Sequence, residues 1–153
     1  AQTKGFFADY KLKVKTSGAD FTNANVELEI SVNSINTNMS DRDNHLRSAD
    51  FFDSEKYPTI AFVSKSMTAT GDEDYKLAGD ITIKGITRPI EFKVNYGGQQ
   101  LDPWGNIRAG FTIEGTIDRF DFGLNWNSFL ETGGAVVGKT VKLQAEIELL
   151  KAK

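Results

Sequence analysis

The densest set of reactive side chains in the sequence is Arg42, Asp43, His45, Arg47, Asp50 and Asp53, with His45 the only histidine in the chain. A histidine among carboxylates is the material of general acid–base chemistry. Here no serine or carboxylate is fixed to His45 by spacing, so the logic of a nucleophile–base–orienter triad is not met. On a helix, Arg42 and Asp50 lie two turns apart, and Arg47 falls beside Asp43 and Asp50. Charge pairs at such spacings hold a helix against neighbouring loops. That structural role is the first reading of the cluster. A hydrolase or isomerase acting on an apolar substrate through His45, with Asp43 or Asp50, is the competing one, and a head-group contact from Arg42 or His45 is a third.

Other polar groupings carry less chemistry. Asp118, Arg119 and Asp121 can pair locally and pin the aromatic stretch they introduce, or Arg119 can face a phosphate or pyrophosphate head. Asp72-Glu73-Asp74 lacks the spaced oxygen ligands and the distant glutamate of a calcium loop, and reads as a solvated hairpin tip. Gly133, Gly134 and Gly138 before Lys139-Thr140 do not have phosphate-loop spacing. With no cysteine, thiol catalysis, disulfides and thiolate zinc sites are excluded, and a lone histidine excludes a multi-histidine metal site within one chain. A net charge of −3 with mixed signs gives no general affinity for nucleic acid or anionic membranes. No run approaches the roughly 20 apolar residues of a spanning helix. Composition therefore favours binding over catalysis, with no cofactor and no metal.

The elements that must position these residues are mostly strands. Alternation with a period of two runs through Phe7 to Lys15, Asn25 to Asn33, Thr59 to Met67, Tyr75 to Ile83, Arg88 to Tyr96, Ile107 to Ile117 and Val137 to Leu149. One face of each is apolar and the other polar, the pattern of an antiparallel sheet with one wet side. Thr16 to Asp20 and Thr70 to Asp74 are hairpin turns, and Gly85 and Gly97-Gly98 punctuate the ends of the fifth run. Ser40 to Asp53 breaks the alternation. Leu46, Ala49 and Phe52 recur every three residues there, which predicts a short helix, with Ser40 and Asp43 spaced as a capping box. The helix must end before Pro58. Asp118 to Gly134, carrying Phe120, Phe122, Trp126 and Phe129, reads as a long loop over one end of the sheet. The whole is a single all-β domain over residues 1–153, an antiparallel barrel or sandwich with one short helix. Periodicity does not say whether the interior is filled or holds a cavity.

Four phrases, in order, resemble the YceI-like family of bacterial proteins. They are Arg42-Asp43-Asn44-His45-Leu46-Arg47-Ser48-Ala49-Asp50-Phe51-Phe52-Asp53 with Tyr57-Pro58 and Ile60-Ala61-Phe62, then Gly79 through Ile90, then Gly115 through Gly123, then Val136 through Val141. The resemblance implies a lipocalin-like β-barrel. It also implies a further strand upstream of the Gly5-Phe6-Phe7 step, where only four residues stand. The domain is accordingly expected to lack the family's first strand.

The resemblance implies binding of a long apolar isoprenoid-type lipid, a polyprenyl or quinone-like tail, that is carried or stored without catalysis. Such a ligand needs an apolar tube and few polar contacts, because burying its carbon gains about 25 cal/mol per Å². Periodicity nominates Ile30, Val32, Ile60, Phe62, Ile81 and Ile83 as lining, continued by Phe92, Phe111 and Ile113. Phe122 and Trp126 are expected to cap an end. Each of these is also an ordinary core residue. Family membership further implies a periplasmic setting, with the cytoplasm as alternative, and leaves a homodimer open. A protein-interaction module, working through the charged outer face or an open edge strand, completes the set of readings.

Overall fold

The computed structural model of the chain describes residues 4–17, 21–125 and 138–151. Trp126, Phe129, Gly133-Gly134 and Val136-Val137 lie outside the described residues. The strands are β1 (Phe6–Phe7), β2 (Tyr10–Lys15), β3 (Asn25–Ser31), β4 (Ile35–Asn36), β5 (Thr59–Ala69), β6 (Asp74–Ile83), β7 (Ile86–Leu101), β8 (Ile107–Asp118) and β9 (Thr140–Leu150). One α-helix, α1 (Ser40–Arg47), stands among them. A 7-stranded antiparallel sheet runs in the order β2-β3-β5-β6-β7-β8-β9, and β1 pairs with β4 in a separate ribbon. Each alternating run of the sequence contributes a strand to the large sheet.

Two devices set the register. Lys84 and Gly85 both have positive φ, 51° and 76°, so β6 and β7 are joined by a two-residue turn whose twist matches that of the strands. Bulges at Ser64/Ser66 in β5 and at Tyr96/Gly98 in β7 add local bend. The sheet curls into a half-barrel. The curl brings the 3₁₀ turn Phe21–Asn23, which follows β2, across to the far strands: the Phe21 ring lies 6.1 Å from Tyr75, 5.1 Å from Tyr96 and 5.1 Å from Phe111. At the opposite end, the β1–β4 ribbon, α1 and the 3₁₀ turn Arg119–Phe122 form a lid, with Phe7, Phe51 and Phe52 in edge-on ring contact.

The structure departs from the sequence pattern in four places. β7 does not stop at Gly97-Gly98 but passes through them to Leu101, because Gly98 takes φ +96° and absorbs a bulge instead of ending the strand. Val32 leaves the strand and opens the 3₁₀ turn Val32–Ser34, where it is 1% exposed. The helix ends at Arg47, with the Ser48 amide turned onto the His45 carbonyl, so Ala49 and Phe52 fall in the following turns. The capping box does not form: Met39 is the N-cap and its side chain makes no cap bond, while Asp43 bonds to Thr37. A tertiary partner outcompetes the local one.

Candidate functional site

In this half-barrel the inward rows are not equally covered. On β5, β6 and β7, Ile60, Phe62, Leu77, Ile81, Ile83 and Val94 are buried. Phe62 and Phe92 meet edge-on at 5.3 Å, and they lie over the two inward glycines. A Cβ on Gly79 would come within 2.7 Å of the Phe62 ring, and one on Gly115 within 2.5 Å of the Phe92 ring. The glycines therefore admit aromatic rings, and the space they vacate is filled protein interior.

The flanks are different. Leu12 and Val14 of β2, Leu28 and Ile30 of β3, Ile113 and Ile117 of β8, and Leu143, Ile147 and Leu149 of β9 are half-buried apolar residues packed against that core. A chain of antiparallel strands with an odd number of members leaves its two outer edges pointing the same way. β2 and β9 are those edges, and among the described residues no ladder joins them. Between them lies a trough of about 490 Å³, walled by Tyr10, Leu12 and Val14 on one side and by Ile147 and Leu149 on the other, with Glu146 and Glu148 at its rim. The groove is open to solvent and exposes polar and apolar surface in similar amounts.

The residues nominated from sequence distribute over both regions. Val32, Ile60, Phe62, Ile81, Ile83 and Phe111 are buried in the packed part, and Phe122 is buried in the lid-end 3₁₀ turn. Ile30, Phe92 and Ile113 are half-buried, while Trp126 lies outside the described residues. None of them walls the trough between β2 and β9. Leu12, Val14, Ile147 and Leu149 do, and their signal was present: they occupy the first and last strands of the meander, which have a neighbour on one side only.

The charged cluster of α1 is committed to the lid. Asp43, buried, accepts the Thr37 amide at 2.8 Å and the Thr37 hydroxyl. The hydroxyl bond holds its carboxyl below the usual range, against the opposing effect of burial, helped by the Thr37 amide and by Arg47 and Arg42. Arg42 donates to the Thr37 hydroxyl and carbonyl at 2.9 and 2.7 Å. Arg47 donates to the carbonyls of Asn33 and Ile35, each at 3.1 Å. These three side chains thus bond to backbone groups of Asn33, Ile35 and Thr37. His45 Nε2 lies 3.3 Å from the Asp50 carboxylate at the surface.

Arg119 does not face outward to a head group. It is 1% exposed; Nε donates to the Gly138 carbonyl at 2.7 Å and Nη1 to the Leu124 carbonyl, with its guanidinium 4.6 Å from the Phe120 ring centre. Burial pushes its pKa down, opposed by Asp118. It staples the 3₁₀ turn to the residues that lead into β9. Asp118 caps the Phe120 amide and pairs with Lys139 at 3.2 Å. Among the described residues no cluster of histidine and carboxylate side chains could hold a metal ion.

A curled antiparallel sheet, lidded at one end and open between its two edge strands, is a lipocalin-like half-barrel. The chain belongs to the YceI-like family: residues 1–149 match the YceI-like domain. A UPF0312 protein of Staphylococcus aureus (strain MSSA476) is 39% identical over 149 residues, which are 97% of this chain and 84% of that one. Among solved structures, the YCEI protein of Campylobacter jejuni superposes with a TM-score of 0.88 at 29% identity, covering 100% of this chain and 87% of that one. A polyisoprenoid binding domain from Saccharophagus degradans shares the fold, with a TM-score of 0.65 at 17% identity over 97% of this chain and 85% of its own.

Proposed function

We propose that this protein is a non-catalytic carrier or store of a long apolar isoprenoid-type lipid, with a polyprenyl or quinone-like tail lying along the trough between β2 and β9. The observation that carries this reading is the row of half-exposed aliphatic side chains at Leu12, Val14, Ile147 and Leu149 beside a fully packed core. Uncovered apolar surface costs about 25 cal/mol per Å² until something covers it. A flexible hydrocarbon tail covers it without specific polar partners, and the rim carboxylates of Glu146 and Glu148 stay in water. Membership of the YceI-like family supports the same ligand class.

Native mass spectrometry of protein taken directly from cells tests the reading. The expected spectrum carries an apolar adduct that organic extraction removes and that a polyprenyl alcohol or a long-tailed quinone restores. A bare polypeptide that takes up neither compound overturns it. A periplasmic setting is part of the proposal, and cell fractionation is its check.

Catalysis through His45 has less support, because Asp43 is held by Thr37 and the remaining pair with Asp50 is at the surface. Unchanged turnover of any discovered substrate by His45→Gln removes it. The edges of β2 and β9, unpaired on one side among the described residues, favour a second reading, in which a partner or a second copy adds a strand there. Light scattering across a concentration series decides it, and a strict monomer without partners rules it out.

A further inference from the structure

β6 begins at Asp74, which pairs with Asn95, yet β7 runs on from Tyr96 to Leu101 and returns as β8 from Ile107. The β7–β8 hairpin therefore overhangs β6 by roughly 20 Å of chain at the usual rise per residue. At its tip the large apolar side chains are unusually bare: Trp104 is 79% exposed, Leu101 73%, and Leu150, at the adjoining end of β9, 54%. Trp104 is not needed to shape the turn. Asp102, whose side chain is 6% exposed, accepts the amides of Trp104 and Asn106 at 2.9 and 2.8 Å and Nε of Arg108 at 2.9 Å. The Asp102 amide in turn reaches the Asn106 carbonyl, and Gly105 supplies φ +82°. The loop is built by its polar groups and presents the indole outward.

We propose that this tip is a membrane-docking site that inserts Trp104, Leu101 and Leu150 into the interface of a lipid bilayer. Two observations favour a bilayer over a protein partner. Leu101, paired with Ile107, and Leu150, paired with Arg108, lie on opposite faces of the sheet, so the apolar side chains surround the tip and do not form one flat patch of the about 800 Å² that each side of an ordinary protein interface buries. The charges beside them are tied up locally, since Arg108 bonds to both Asp102 and Glu148, which leaves one net negative charge among the three and no cluster of like charges for a charged partner to match. An indole with an apolar body and one polar N–H suits the headgroup boundary. The tip also connects to the trough. Leu101 pairs with Ile107, and Ala109 pairs with Leu149, which is itself a trough wall. That this contact loads or unloads a lipid rests on the carrier reading; the docking does not.

Co-flotation with vesicles of phosphatidylcholine alone, and of phosphatidylcholine with phosphatidylglycerol, tests the proposal on the full chain before and after organic extraction. The wild type is expected to float with both compositions, equally at low and high salt. Trp104→Ala should weaken partitioning by about tenfold, and the triple change with Leu101→Ser and Leu150→Ser should abolish it. The wild-type fluorescence minus that of Trp104→Phe should shift to the blue on adding vesicles, a reading independent of how well the multiple variant folds. Failure of the wild type to float, equal flotation of Trp104→Ala, or flotation only with the anionic lipid overturns docking by this tip. So does a Trp104→Ala effect on self-association with none on vesicles, which would assign the patch to a second copy. Flotation of a chain that carries no lipid as isolated and takes up neither a polyprenyl alcohol nor a long-tailed quinone would refute the carrier and leave docking standing, and a lipid-loaded chain that never floats does the reverse.

Discussion

The inward side chains of β5, β6 and β7 and those of β2 and β9 are of the same apolar types, yet most of the first set are buried and the second are half-exposed. Ile60, Phe62, Leu77, Ile81 and Val94 sit on strands paired along both edges, with the Phe62–Phe92 contact over them. Leu12, Val14, Leu143, Ile147 and Leu149 sit on strands with one neighbour each and face the trough. Phe111 on β8 and Val26 on β3 are buried even on the open side, and the Phe21 ring covers Phe111. Alternation establishes which way a side chain points, and strand position in the meander establishes whether anything meets it there. The packed wall holds the fold, and the flanks keep apolar surface uncovered at a cost in stability that a bound tail would recover.

If this division is right, truncations should separate cleanly by wall. Phe62→Ala removes a buried ring that also covers Gly79, and should destabilise by about 3–5 kcal/mol in urea denaturation. A loss below about 1 kcal/mol would mean that the packed wall is as loose as the flanks. Arg119→Met comes next, at about 2–3 kcal/mol, because it leaves the carbonyls of Gly138 and Leu124 without their donor. An unchanged midpoint would show that the lid end bears no part of the load.

Asp43→Ala should cost roughly 1–3 kcal/mol near neutral pH, since the Thr37 amide and hydroxyl lose their acceptor. Its folded pKa is depressed, so the unfolded chain binds the proton more tightly. The contribution is full above about pH 4, the ordinary aspartate value, and is lost as pH falls through the lower folded value. The wild type should therefore lose more stability on acidification than Asp43→Ala, and parallel acid profiles would contradict the assignment.

Much of this was legible in the sequence where a run was long enough to show its period. β3, β6 and β8 have alternating faces that only a strand satisfies. β1 and β4 are two residues each, too short for any period to register. Gly97-Gly98 carry the same signature for a strand end as for a bulge, and only the pairing of Gly98 with Gly110 decides between them. Ser40 and Asp43 have the spacing of a capping box, but a threonine before the helix takes the carboxylate, and no local rule anticipates that. The candidate site was legible as a set of inward apolar positions and illegible as a surface. Ile81 and Ile147 look alike residue by residue; only the order of the strands, with Ile147 on the last one, sets them apart, and the curl of the sheet then buries one and leaves the other open.

The smallest expected effect on stability is the one that bears most directly on function. Leu12→Ala and Ile147→Ala remove methyl groups that water or a ligand already reaches, so each should change folding stability by less than about 1 kcal/mol. The same changes thin the walls of the trough, and retention of a polyprenyl alcohol or long-tailed quinone should fall by about tenfold for the pair. Phe62→Ala should show the opposite profile, with a large loss of stability and retention reduced only in proportion to the unfolded fraction. If Leu12→Ala and Ile147→Ala prove as damaging to folding as Phe62→Ala, the flanks are core by another name and the trough is no binding surface. If they change neither stability nor retention, the tail lies elsewhere in the half-barrel, and Ile30, Phe92 and Ile113, half-buried between the two regions, are the next positions to truncate.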